Sequence, residues 1–260
     1  MKQVGFIGMG SMASALLQGF QKTGAFPGAV YAAYAPHQDR LRANAEKWGF
    51  TPYADIKALI AESDLCIMAV KASQVENVLG ETAACFENKA LLSIVAGWDL
   101  ARYQQYLPAS ARVQYVCPNT PAMVGAGAFM MEGAGTLTEQ ELQEVTNALN
   151  TIGTVERIPP HLMEIADTVA GCTPAFFDMF MEAVADAGVY YGMPRDMAYR
   201  LITQSCYGSA LLMKQSGEHP GALKDAVCSP GGDTIVGVQA LEESGFRNAC
   251  YKAIMGAMKR

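Results

Sequence analysis

Charge is scarce in this chain. Only 17% of its 260 residues are Asp, Glu, Lys or Arg, against 51% hydrophobic, which argues against a disordered tail and leaves ample material for a core. Positive charge is the scarcer sign: 19 Lys and Arg face 25 Asp and Glu, a formal net charge of −6, and no basic run exceeds Lys259-Arg260. Nucleic acid is therefore not an expected partner. Long apolar runs are missing too. Stretches such as Leu65 to Val70 fall far short of the roughly 18 residues that cross a bilayer, so a soluble protein with no membrane partner is expected. Paired cysteine motifs are absent: seven Cys, at 66, 85, 117, 172, 206, 228 and 250, lie at wide spacings with no C-x-x-C and an odd total. That argues against a disulfide framework and a zinc site, and no metal is expected. Met1-Lys2-Gln3 leads straight into a strand pattern without a signal-peptide core, which predicts a cytoplasmic protein.

What is present is a rhythm. Strand-like runs at Val4 to Gly8, Ala29 to Tyr34, Leu65 to Val70, Leu91 to Val95 and Arg112 to Cys117 alternate with helical patterns at Ser11 to Thr23, Gln38 to Lys47, Asp55 to Glu62, Ser73 to Ala83 and Asp99 to Tyr106. Strand, helix, strand at this spacing predicts a parallel α/β sheet. After Thr154-Val155-Glu156-Arg157 and the Pro159-Pro160 pair, the β-branched patterns fade. The remainder reads as helices: His161 to Tyr191, bent near Pro174, then Pro194 to Gln215, Pro220 to Val227, and Thr234 to Lys259 interrupted near Gly245. The expected organisation is an α/β domain of the Rossmann type over residues 1–157 and a helical domain over 158–260. The 15 Met and 11 Tyr make the chain more apolar than a monomer of this size needs, which points to a buried subunit interface.

Gly8-Met9-Gly10-Ser11-Met12-Ala13 follows the first strand and opens the first helix, the context in which G-x-G-x-x-G/A binds a dinucleotide. Gly8 suits the tight turn, Gly10 lets a pyrophosphate approach, Ala13 lets helix pack on strand, and the helix N-terminus faces the phosphates. At the end of the second strand, where NAD-preferring domains place an acid, the chain reads Tyr34-Ala35-Pro36-His37. His37 and Arg40 there suit a 2′-phosphate, favouring NADP over NAD, with a solvated loop as the plain alternative. Val70-Lys71 and Ala96-Gly97 end two further strands and are expected to line the same crevice. In Cys117-Pro118-Asn119-Thr120-Pro121, two prolines hold an extended loop that can aim the Asn119 amide into the cleft; a simple turn explains the same residues. Ser229-Pro230-Gly231-Gly232-Asp233-Thr234 opens the last helix and has the character of an anion cradle, or of an interhelical turn capped by Asp233 or Thr234.

Taken together, Val4 to Ala13, Ala69-Val70-Lys71, Pro118 to Pro121, Ala166 to Ala175 and Leu223-Lys224-Asp225 through Ser229 to Ile235 resemble pyrroline-5-carboxylate reductase, in order and spacing along essentially the whole chain. The resemblance implies hydride transfer from NADPH, or less efficiently NADH, to the imine carbon of pyrroline-5-carboxylate, yielding proline. It implies a homodimer with interlocked helical domains, often built into larger rings. By position, Ser229, Gly231, Gly232, Asp233 and Thr234 would cradle the substrate carboxylate, with the Thr234 hydroxyl at the imine nitrogen. Asn119 and Lys71 would line the nicotinamide side. Ala72, the run Ala170 to Pro174, and Asp233 depart from the family's usual residues. Three other readings stand beside it. A 3-hydroxyacid dehydrogenase needs a lysine on the first long helix of the second domain, and no lysine lies between Lys89 and Lys214. A reductase of another cyclic imine and a catalytically weak NADP-binding sensor share the same motifs.

Overall fold

In the computed structural model, which describes residues 1–258, the expected strand-helix rhythm becomes β1 (Gln3–Ile7), α1 (Ser11–Thr23), β2 (Val30–Tyr34), α2 (Gln38–Trp48), β3 (Thr51–Tyr53), α3 (Ile56–Glu62), β4 (Leu65–Met68), α4 (Val75–Thr82), β5 (Ala90–Ser93), α5 (Leu100–Tyr103) and β6 (Arg112–Pro118). β7 (Gly127–Gly135), α6 (Glu139–Asn150), β8 (Gly153–Ile158) and α7 (Met163–Asp167) complete the first of two compact units, Met1–Gly171. The sheet order is β3-β2-β1-β4-β5-β6-β7-β8, parallel throughout except between β6 and β7. Its first six strands follow the order of a dinucleotide-binding sheet.

Both faces of this sheet are covered, which is why its central strands are almost wholly apolar. Val4 and Phe6 of β1 join Leu65 and Ile67 of β4 beneath Leu16, Leu17 and Phe20 of α1. The alternate residues, Ile7, Cys66 and Met68, pack on the other face with Leu59, Leu79 and Trp98. Three strands escaped the sequence reading. β3 is a three-residue edge containing Pro52, β8 buries none of its six residues fully, and β7 is interrupted by glycines. A register shift between β6 and β7 is filled by buried Gln114, whose Nε2 donates to the Glu132 carbonyl at 2.9 Å.

The expected boundary at 157/158 coincides with the end of β8, while chain contacts divide the protein at Gly171/Cys172. The reason is local: Met163 of α7 is buried against Tyr115, Cys117 and Met130, with Ala166 and Ala170 packed alongside. The second unit holds α8 (Thr173–Tyr190), α9 (Arg195–Ser216), α10 (Pro220–Ala226), α11 (Asp233–Glu243) and α12 (Phe246–Ala257). The expected ends at Lys259 and residue 260 lie outside the described residues. The helix expected from His161 to Tyr191 runs without a break from Met163 to Tyr190, and its irregularity near Pro174 is a π turn over Thr168–Cys172 where α7 passes into α8. Pro174 has no N–H to give the carbonyl four residues back, and the wider turn accommodates it.

One interaction ties α6 to the sheet strongly enough to test. Arg112 grips Glu141 with two bonds, Nη2 to Oε1 at 2.7 Å and Nε to Oε2 at 2.9 Å, while Glu141 also closes a capping box with Thr138. The Arg112 bonds hold the Glu141 carboxyl below its ordinary value of 4.5. Its contribution is therefore complete above that pH and is lost as pH falls through the depressed folded value. Glu141→Gln should cost about 2 kcal/mol at pH 7, with the deficit shrinking at a pH well below 4.5. Urea unfolding of both proteins at the two pH values measures this; a deficit that stays constant would show that the charge of Glu141 contributes nothing.

Candidate active site

The carboxyl ends of the central strands lie level, Ile7 pairing with both Tyr34 and Met68, and Met68 with Ser93. Strand order reverses between β1 and β4, and a crevice opens beyond such a switch point. Gly8 makes the turn out of β1 with φ +95°, its N–H donating to the Tyr34 carbonyl at 2.8 Å. A Cβ at Gly8 would stand 2.8 Å from the carbonyl oxygen of Ala69, so β1 and β4 approach there as only glycine permits. Gly10 is different: it occupies the N-cap of α1 without any side-chain cap, and a Cβ there meets nothing within 4 Å. Met9 and Ala13 are buried and root the turn, Met12 is half-buried, and Gly10 and Ser11 face outward. Uncapped N–H groups at the start of a 13-residue helix, beside an open face, fit a pyrophosphate.

Tyr34 is half-buried at the end of β2, and the chain passes through exposed His37, the N-cap of α2, to exposed Arg40. The nearest carboxylate, Asp39, is exposed in the first turn of α2. Beyond β4 stand half-buried Val70 and exposed Lys71, and beyond β5 exposed Ala96 and Gly97, the latter with φ +73°. The structure thus brings all of these predicted residues, with Gly8 to Ala13, to one edge of the sheet.

Asn119 is also there, but its side chain is engaged by the protein itself. Oδ1 accepts from the Ala128 N–H at 2.8 Å, and Nδ2 donates to the Ala170 carbonyl at 3.0 Å. Ala170 lies four residues before Pro174, so the amide serves a carbonyl that the proline cannot reach as an α-helical donor. Sequence reasoning anticipated a directed Asn119 amide but not this partner. It also missed Asp167, whose Oδ1 accepts from the Cys117 thiol at 2.8 Å and would lie 2.5 Å from a Cβ at Gly171. Burial, with Cys117 and Asp167 nearby, pushes the Tyr115 phenol far above its ordinary value, so Tyr115 stays neutral here.

In the second unit, α10 and α11 are joined by the segment from Val227 to Gly232. Gly231 has φ +69°, and a Cβ at Gly232 would fall 2.3 Å from the Ser229 hydroxyl. Gly232, rather than Asp233 or Thr234, is the N-cap of α11, and no side chain caps it. The first N–H groups of this 11-residue helix are thus uncapped, with Ser229 folded under Gly232 and Thr234 exposed in the first turn. Asp233 is exposed in that turn as well.

Residues 160–260 match the family described as pyrroline-5-carboxylate reductase dimerisation, and residues 3–97 the family described as NADP oxidoreductase, coenzyme F420-dependent. The pyrroline-5-carboxylate reductase of Treponema pallidum (strain Nichols) is 40% identical over 98% of this chain and 98% of its own length. That of Escherichia coli (strain K12) is 36% identical over 100% of this chain and 97% of its own. Among solved structures, Plasmodium falciparum pyrroline carboxylate reductase with NADP bound superposes with a TM-score of 0.88 at 28% identity, covering 99% of this chain and 96% of that one.

Proposed function

This chain belongs to the pyrroline-5-carboxylate reductase family, and from that premise we propose that it reduces 1-pyrroline-5-carboxylate to L-proline, the closing step of proline biosynthesis. Its cofactor is NADPH, with NADH as a less efficient donor. NADPH when bound supplies the hydride; everything else falls to the chain's own residues.

The turn Gly8 to Ala13 and the uncapped end of α1 hold the pyrophosphate, Tyr34 borders the adenosine, and His37 and Arg40 meet the 2′-phosphate. Val70, Lys71, Ala96 and Gly97 line the nicotinamide side. Asn119 acts on that side through its loop, because both ends of its amide are already bonded. Ser229 and the backbone N–H groups of Gly231, Gly232 and Asp233 receive the substrate carboxylate, and the Thr234 hydroxyl meets the imine nitrogen. A cyclic imine gains its electrophilic character on protonation and can take that proton from water before binding. The residues then have to orient a cation whose carbon accepts hydride, and to accept a hydrogen bond from its N–H, without supplying a strong acid. The single observation that carries this reading is the pair of uncapped helix ends, α1 behind Gly10 and α11 behind Gly232, each opened by glycine.

Steady-state oxidation of NADPH and of NADH with pyrroline-5-carboxylate as the varied substrate tests it. Imine-dependent turnover is expected with both, faster with NADPH; NADPH binding without turnover would move the protein to another imine or to sensing. Replacing both His37 and Arg40 by Ala should weaken NADPH binding about tenfold or more, the value of charge-assisted bonds to a phosphate, and leave NADH unchanged. Equal losses for the two cofactors would place the 2′-phosphate elsewhere.

We also infer a homodimer whose helical domains interlock, built further into rings, working in the cytoplasm. Among the described residues of the second unit only Ala185 and Ala198 are buried. Phe177, at 62% exposed, and Tyr191, at 86%, are two of many large apolar side chains left uncovered there. Helices that bury so little cannot carry their own ordering cost, and a second copy supplies the missing core. No helix among the described residues is long and apolar enough to cross a membrane, and no disulfide joins any of the seven cysteines there.

A further inference from the structure

Trp98 follows the Ala96-Gly97 turn and is wholly buried, although both residues of that turn are exposed. A buried indole N–H needs an acceptor, and it finds one on a different turn: Nε1 donates to the Ala72 carbonyl at 3.3 Å, just past Val70-Lys71. The turn after β4 is thereby linked to the turn after β5. Further bonds hold the indole's own loop. Trp98 N–H donates to the Val95 carbonyl at 3.1 Å, Leu100 N–H to the buried Glu132 carboxylate at 3.0 Å, and Arg102 N–H to the Asp99 cap at 2.8 Å.

Arg102 closes the arrangement from outside. Its guanidinium lies 4.1 Å from the Trp98 ring centroid, a cation–π distance. From there Nη1 reaches the Gly97 carbonyl at 3.3 Å and Nη2 the Glu76 carboxylate at 3.1 Å, in the first turn of α4. Indole and guanidinium thus make two links from the loop after β5, one to the Ala72 turn after β4 and one to the first turn of α4 that follows it. Neither residue needs to touch a ligand to matter, since both set the spacing of the groups that do.

We propose that Trp98 is a positioning residue for the nicotinamide half of the cofactor, holding the Lys71-Ala72 turn at a set distance from the Ala96-Gly97 turn, with Arg102 locking the indole in place. The inference rests on the cofactor reading above. With the pyrophosphate at the β1 turn and the adenosine toward β2, the other half of a dinucleotide extends over β4 and β5, the strands this latch joins.

The test compares NADPH with 2′,5′-ADP, which carries the adenosine and 2′-phosphate but no nicotinamide, by titration against the full-length protein. Trp98→Phe keeps an aromatic ring but loses the donor and part of the buried indole's volume; Arg102→Met keeps the stem and loses the two outer bonds at a side chain 43% exposed. Both variants should bind NADPH about fivefold more weakly, the scale of one lost hydrogen bond, while binding 2′,5′-ADP as the wild type does. In turnover, KM for NADPH should rise by the same factor with kcat within about twofold, because the altered contact is made before and during reaction alike. Unchanged NADPH binding in either folded variant, or parallel losses for both ligands, would overturn the inference and leave the cofactor reading intact. A wild-type protein that binds neither ligand would overturn the cofactor reading and the latch with it. Should Trp98→Phe fail to fold, Arg102→Met decides alone.

Discussion

Thr234→Val is expected to lower kcat/KM for pyrroline-5-carboxylate about a hundredfold, the lower end of what loss of one directed polar group costs in a preorganised site. Valine keeps the shape and β-branching of threonine and removes only the hydroxyl. Thr234 is exposed in the first turn of α11, so nothing in the helix depends on its oxygen, and melting temperature and NADPH binding should not move. Thr234→Ser, which restores the hydroxyl on a freer rotor, should recover activity to within about fivefold of wild type, the cost of ordering one small side chain. The four measurements separate a reacting-centre role from a structural one. Valine at this position retaining a third or more of wild-type kcat/KM would remove Thr234 from the imine nitrogen and leave the cradle to backbone N–H groups alone.

The glycines of the first turn should separate just as sharply. At Gly8 an alanine must hold φ +95° and place its Cβ 2.8 Å from the Ala69 carbonyl, which is backbone and cannot swing aside. The strain and the displaced β4 end together should cost about 3 kcal/mol, a fall in Tm on the order of 8 °C, and should abolish NADPH binding because the turn that shapes the pyrophosphate site is lost. At Gly10, φ is −85° and the added Cβ meets nothing within 4 Å. Gly10→Ala should therefore melt like the wild type, yet bind NADPH at least about tenfold more weakly, since the methyl occupies the face where the phosphates approach. Thermal melts and NADPH titrations of both variants check this. Normal NADPH affinity in Gly10→Ala would mean that the open face beside α1 is not where the pyrophosphate lies.

These contrasts show how differently the two glycines were legible. Both were recognisable from spacing, because the fingerprint is local: a strand, a turn and a helix within 20 residues. That a Cβ at Gly8 would strike the chain just past β4 while one at Gly10 would meet nothing depends on Ala69, about 60 residues away in the chain, and pattern alone carries no such distance. Asn119 follows the same logic. Flanking prolines announced a rigid loop, but the amide's partner is the Ala170 carbonyl, which a proline four residues further on leaves without a helical donor. Trp98 had no sequence signal beyond its place after a strand-end turn. Its acceptor, Ala72, belongs to a neighbouring strand's turn, so only strand order could bring the two together.

What the sequence determined by itself was whatever short-range physics dictates. Alternating and 3.6-residue apolar periods marked strands and helices, glycines at fixed offsets marked the starts of α1 and α11, and scarce positive charge argued against a nucleic-acid partner. The full chain's motifs, in order, were enough to indicate the family. Tertiary structure alone decided which of these residues are bonded within the fold and which are left open: the buried indole bonded across two turns, the Asn119 amide spent on a π turn, and the helix ends that no side chain caps. The reason is that a hydrogen-bond donor must be satisfied by whatever packing places beside it, and packing is settled by strand order and register across the whole sheet, over sequence separations that no local pattern encodes.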